Sequence, residues 1–241
     1  MGQERKNLPL NLYRSFNNDY TKTILIDMSE SLLENATKSI FDSGTLQKLP
    51  IVGGMVAVGT GILDLRERLF VSKVLRVLAE ISDVSEEKKK TFKDKLDNDP
   101  NMANKSGAIL LDLIDKTTGA EKSAMIGKVI RATMEKNLDH DTMISLCEMI
   151  VKSYLSDLQA LARPEGQLGP VPNDVNLEGV GIKKSMRAED VNKALEALSA
   201  RIKAEIPIVR DKIINTEADP TIIESGYTEL GSILVKILKQ Y

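Results

Sequence analysis

The chain has no tryptophan, one cysteine and one histidine among its 241 residues, and aromatics make up only 4% of it. So few rings leave little material for sugar-stacking clefts or for base-stacking platforms on single strands. The single Cys147 rules out an intrachain disulfide framework and points to a reducing, cytoplasmic compartment. One Cys and one His cannot complete a tetrahedral zinc site. His140 and Cys147 are seven residues apart on an expected helix, about 10 Å along its axis, too far for a base to touch a nucleophile. They read as a helix-start His and a core Cys. Neither G-x-x-x-x-G-K-[ST] nor G-x-G-x-x-G occurs, so no phosphate cradle is expected. Asp94, Asp97 and Asp99 cluster, as do Asp112 and Asp115, but neither set has the spacing of an EF-hand loop. No catalytic residue, metal or cofactor follows, and the protein is expected not to be an enzyme. A net charge of -2 supplies no global field toward nucleic acid, which is not expected as a partner. The segment MGQERKNLPLNLYRSF lacks a secretory apolar core, and Lys6 breaks the myristoylation pattern. No run reaches the roughly 18–20 apolar residues of a spanning helix.

What is present centres on Leu49–Leu63, LPIVGGMVAVGTGIL, which carries no charge. Gly53, Ala57 and Gly61 recur every four positions, with Gly54 and Gly59 beside them. On a helix that spacing gathers small residues on one face, where another helix can approach closely. A charged border follows at once, with Asp64, Arg66, Glu67, Arg68, Lys73 and Arg76. Three readings fit the stretch. It is a buried core helix; or a membrane-active segment held in reserve, with Arg66, Arg68, Lys73 and Arg76 at headgroup level; or a self-association face. At about 22 Å as a helix it is shorter than a hydrocarbon core of about 30 Å.

Around this stretch the pattern is helical. Residues 1–23 read as an arm, where Asn7, Pro9, Asn11, Asn17 and Asn18 discourage regular structure while Leu8, Leu10, Leu12, Tyr13 and Phe16 offer docking groups. A helix is expected over 29–42. The strongest amphipathic helix of the first half follows, with Leu65, Leu69, Phe70, Val74, Leu75, Leu78 and Ile81 as its stripe. Ser85 caps a charged helix with a thin apolar edge at Phe92 and Leu96, and Asn98-Asp99-Pro100-Asn101 ends it. Helices over 105–116 and 120–136 come next. Asp139 then caps one long helix from about His140 to Leu161, with Tyr154 on its stripe. Short links favour antiparallel neighbours in a bundle.

Residues 162–187 bring three prolines and four glycines. They read as a linker with a short extended piece at Leu177–Ile182, followed by a helix over 188–203 and a final helix opened by Tyr227-Thr228-Glu229-Leu230-Gly231. The extended piece and that helix start resemble the skeleton of a winged helix. The expected fold is therefore mainly α: an arm (1–23), a helical bundle domain (24–161) holding the segment 49–63, and a smaller C-terminal α(+β) winged-helix-like module (162–241). No recognition helix rich in Arg, Asn or Gln is evident.

The succession LPIVGGMVAVGTGILDLRERLFVSKVLRVLAEI, EEKKKTFKDKLDNDP, GKVIRATMEKNLDHDTMISLCEMIVKSYLSDLQAL, LEGVGI and YTELGSILVKIL resembles, by layout, bacterial proteins close to the abortive-infection alpha group. The resemblance implies a bacterial anti-phage protein and carries no site residues with it. The expected function is an effector that forms a homo-oligomer and disrupts the inner membrane through Gly53, Gly54, Ala57, Gly59 and Gly61. It would be cytoplasmic at rest, move to the inner membrane on activation, and take a phage protein as trigger. The alternative is a soluble helical sensor or regulatory interaction module.

Overall fold

The computed structural model describes residues 8–16, 45–58, 64–164, 167, 169–183 and 227–241. The helices expected over 29–42 and 188–203, together with Gly59 and Gly61, lie outside the described residues. What is described is mainly helical. In chain order come α1 (Leu8–Phe16), a 3-10 turn (Thr45–Lys48), α2 (Pro50–Val58), α3 (Leu65–Ile81), α4 (Glu86–Asn98), α5 (Pro100–Lys116), α6 (Ala120–Lys136), α7 (His140–Lys152), α8 (Leu155–Ala162), α9 (Asp174–Gly179) and α10 (Glu229–Gln240).

Local chemistry sets most boundaries. Asp64 and Glu67 form a reciprocal capping box at the start of α3, where each side chain satisfies a main-chain N–H of the other. The Asp99 side chain accepts from Met102 N–H, with Pro100 in the first turn of α5. Asp139 caps α7 through Thr142 N–H, and Thr228 caps α10 through Gly231 N–H. Ser85 holds the cap position of α4, but its hydroxyl makes no capping bond.

Packing follows from the apolar stripes. α3 and α6 form the broadest helix pair, α1 lies across α5 and α2, and α10 rests on α8, α6 and α7. One apolar core runs through all of these, from Leu12 and Ile51 to Leu234 and Leu238. Burying each such side chain contributes roughly 1.5–3 kcal/mol.

Three expectations are corrected. Residues 8–16 are not an irregular stretch but a helix, with Leu12, Tyr13 and Phe16 buried against the chain's own core. Pro9 falls in the first turn, where a missing N–H costs nothing. The long helix expected from His140 to Leu161 is two helices. Ser153 and Tyr154 are extended (ψ 156° and 142°), and the Ser153 N–H and Oγ both donate to Met149 O. From α6, Lys122 Nζ donates to Val151 O at 3.0 Å and to Ser153 O at 2.5 Å, taking carbonyls that a continuous helix would have used. A buried cation at a helix C-terminus also favours that end electrostatically. Finally, Leu177–Ile182 is not an extended piece, because Leu177 sits inside the short α9. Among the described residues the β pairing is one isolated antiparallel bridge, Lys183 with Tyr227.

Candidate interaction surface around the start of α3

The glycine-rich stretch is built into the core at its front end. Leu49, Ile51 and Val52 are at most 1% exposed. Ile51 N–H donates to the buried Ser15 Oγ of α1 at 3.0 Å. The glycines do different jobs. A Cβ on Gly54 would lie 2.6 Å from Asn11 Nδ2 and 3.2 Å from Leu8 Cδ2, so Gly54 marks the crossing with α1. A Cβ on Gly53 would lie 2.7 Å from Gln47 O, so Gly53 faces the chain's own preceding turn. Ala57 lies in the last turn of α2.

The basic border is engaged with α5. Arg66 pairs with Asp115 at 3.3 Å, and Lys73 Nζ donates to the Asp115 main-chain oxygen at 2.5 Å. Both cations thereby neutralise the C-terminal pole of α5. Arg76 is half-buried and attracts Glu80, whose carboxyl burial raises above its usual range. Arg68 is half-buried at the same end of α3.

Two surfaces flank the start of α3. Leu65 and Leu69 were expected on its buried stripe, yet they are 75% and 58% exposed. At about 100° per residue they point one way, while Glu67 and Phe70 point roughly oppositely. Val71 and Val77, which the expected stripe left out, are buried in their place. On the other side lies a cleft of about 480 Å³ between α1, α2, α3 and α5. Its floor is Leu8, Ile51, Met55, Phe70 and Leu111. Its rim carries Asp64, Glu67, Asp112 and Asp115 against the single guanidinium of Arg66.

The remaining candidates are structural. Cys147 is fully buried, and burial pushes its thiol far above the ordinary range. His140 stacks on Phe92 with ring centres 5.6 Å apart. Phe92 in turn meets Tyr13 edge-on at 6.0 Å, and Tyr13 Oη bonds Ser106 Oγ at 2.9 Å. Burial pushes the Tyr13 phenol up to about 12. Tyr13, Phe16, Phe92 and His140 thus form one ring cluster where α1, α4 and α7 meet. Asp112 pairs with Lys116 at 2.6 Å. No group of three or more His, Cys, Asp or Glu side chains is placed to hold a metal among the described residues. No helix among them is long and apolar enough to cross a membrane.

Sequence reasoning missed the glycines at two other close crossings. A Cβ on Gly127 would lie 2.7 Å from Glu80 Cβ and 2.8 Å from Val77 O, in the α3–α6 pair. A Cβ on Gly107 would lie 2.9 Å from Pro9 O, where α1 crosses α5. The available signal was a lone glycine inside an otherwise helical pattern, which usually has a packing reason. No protein-family model, curated protein or solved structure matches this chain.

Proposed function

We propose that this chain is a helical interaction module that acts by binding rather than by making or breaking bonds, and that it works through the start of α3. The observation carrying this reading is the outward pair Leu65 and Leu69, exposed on a capped helix that Val71, Val74, Leu75, Val77, Leu78 and Ile81 anchor in the core. Exposed leucines one turn apart on a rigid helix suit a partner contact. The proposed partners are a second copy of the chain and a phage protein acting as trigger. The setting, bacterial anti-phage defence of the abortive-infection type, rests on the layout resemblance alone. The winged-helix-like reading of the C-terminal part stays within this proposal, supported by the Lys183–Tyr227 bridge and the Thr228 cap.

The test is Leu65→Asp combined with Leu69→Asp. We expect wild type to associate with rising concentration in sedimentation velocity and to restrict phage growth in cells. The variant should lose both with an unchanged helical spectrum. A variant that behaves as wild type in both assays overturns the reading.

One observation favours a second reading, the membrane-disrupting effector. On the helix Arg66 and Arg68 flank the face of Leu65 and Leu69, an arrangement that suits a helix lying at an anionic lipid surface. Entry of residues 49–63 into lipid would first require pulling α2 from the core. Exposing Leu49, Ile51 and Val52 would cost about 5–9 kcal/mol at roughly 1.5–3 kcal/mol each. That is comparable with a whole domain's stability of about 5–15 kcal/mol, so release would need an activating partner. Leakage of anionic vesicles by activated protein, lost on Gly53→Leu or Gly61→Leu with folding intact, would favour this reading. Leakage that persists in both folded variants would sink it.

A further inference from the structure

The cleft on the inner side of α3 carries a chemistry of its own. Its floor is apolar and drawn from four helices: Leu8 of α1, Met55 of α2, Phe70 of α3 and Leu111 of α5. Its volume of about 480 Å³ is in the range of working binding sites. The rim is acidic. Asp64 and Glu67 are bonded to each other's main-chain N–H at 2.8 and 2.9 Å, and neither has a cationic partner among the described residues. Asp115 lies in the last turn of α5, where the helix dipole already concentrates negative potential, and Asp112 lies just before that turn. The fold answers them only in part. Lys116 reaches one oxygen of Asp112, Arg66 one oxygen of Asp115, and Lys73 the Asp115 main chain. Those two side-chain pairs are largely exposed and therefore weak. Carboxylates placed at the unfavourable end of a helix, around an apolar floor, are a local conflict that a cationic partner relieves.

The geometry points to a partner of defined chemistry: the cleft takes a cationic amphipathic helix from another protein. Its apolar face lies on Met55, Phe70 and Leu111, and its Lys or Arg side chains meet Glu67, Asp64, Asp112 and Asp115. This is helix-in-groove recognition with charge complementarity setting orientation and salt dependence. The inference rests on the interaction-module reading and names the partner class on a surface separate from Leu65 and Leu69.

The probe is a fluorescein-labelled 14-residue peptide of leucine and lysine patterned as an amphipathic helix, with its glutamate counterpart as control. Anisotropy titrations use the full chain at low and raised salt. We expect saturable binding of the lysine peptide, weakened about 10-fold or more by salt, and no measurable binding of the glutamate peptide. Glu67→Gln with Asp112→Asn keeps the capping box and should weaken binding about 5-fold or more while flattening the salt dependence. Met55→Glu separates a groove from a merely acidic surface. It should weaken binding if the floor matters and strengthen it if charge alone does. Strengthened or unchanged binding to Met55→Glu, equal binding of both peptides, or no saturable binding overturns the proposal. Loss of peptide binding on Leu65→Asp with Leu69→Asp, but not on Met55→Glu, also overturns it while leaving the interaction-module reading standing. A concentration-dependent dimer abolished by Met55→Glu would assign the cleft to a second copy and overturn the cationic helix as occupant.

Discussion

α2 and α6 both use glycine to bring helices together, but in different ways. α2 has adjacent glycines in an uncharged run, and its close neighbour at Gly54 is the far end of the Asn11 side chain. α6 has a single glycine among lysines and methionines, and its close neighbours at Gly127 are the Val77 carbonyl oxygen and the base of the Glu80 side chain. A flexible amide tip can move aside; a helix backbone cannot. Gly54 therefore tolerates change better than the inconspicuous Gly127, whereas its neighbour Gly53, opposite the Gln47 carbonyl oxygen, does not, and tolerance is set by what stands opposite.

Four substitutions probe this packing. Ile51→Ala carries the largest expected effect. If α2 is core, urea unfolding should register a loss of about 2–5 kcal/mol; a loss below about 1 kcal/mol would mean that α2 is only loosely seated. Gly127→Ala comes next. Helix propensity gains about 1 kcal/mol, but overpacking against the α3 backbone costs about 1–3 kcal/mol, so a net loss of up to about 2 kcal/mol is expected from the same measurement. His140 gives a smaller, pH-dependent effect. Burial, then the nearby Lys95, holds its imidazole below the ordinary value against the pull of Asp139, Asp141 and Asp99. Its buried Nε2 has no hydrogen-bond partner among the described residues. The unfolded chain binds that proton more readily. The contribution is therefore complete above the unfolded pKa of about 6.5 and is lost as pH falls below it. His140→Phe should flatten the fall in melting temperature between neutral and mildly acid pH, and an unchanged slope would remove His140 from the account. Gly54→Ala should have the smallest effect, neutral or stabilising by up to about 1 kcal/mol. A loss as large as that of Gly127→Ala would erase the distinction between the two helices.

Much of the fold was legible because its signals are local. The helix over 120–136, the cap Asp139 and the helix start at Tyr227–Gly231 sit where period and capping chemistry placed them, whereas Asp99, read as part of a break, caps α5, which begins at Pro100 rather than at 105. The failures have non-local causes. α1 has an unpromising composition, and burial of Leu12, Tyr13 and Phe16 against α2, α5 and their surroundings makes it a helix. The break after α7 leaves no mark on the apolar stripe, which continues through Leu158 and Leu161 of α8. Its cause, Lys122, lies about 30 residues upstream. At the candidate surface the sequence singled out α3 for its basic border but did not separate its faces. Leu65 and Leu69 keep helical spacing with the buried residues, so period alone could not separate them from Val71 and Val77. The cleft was invisible because its walls come from four separate helices.

α2 is a member of the core, and the start of α3 is the proposed binding surface. Native-state hydrogen exchange of the Gly54, Met55 and Val56 amides, with and without anionic lipid vesicles, tests this most directly. Protection close to that of α6, unchanged when vesicles are added, is the expected result. Loss of protection confined to α2 in the presence of vesicles, with α6 still protected, would contradict it and establish release of the glycine-rich helix.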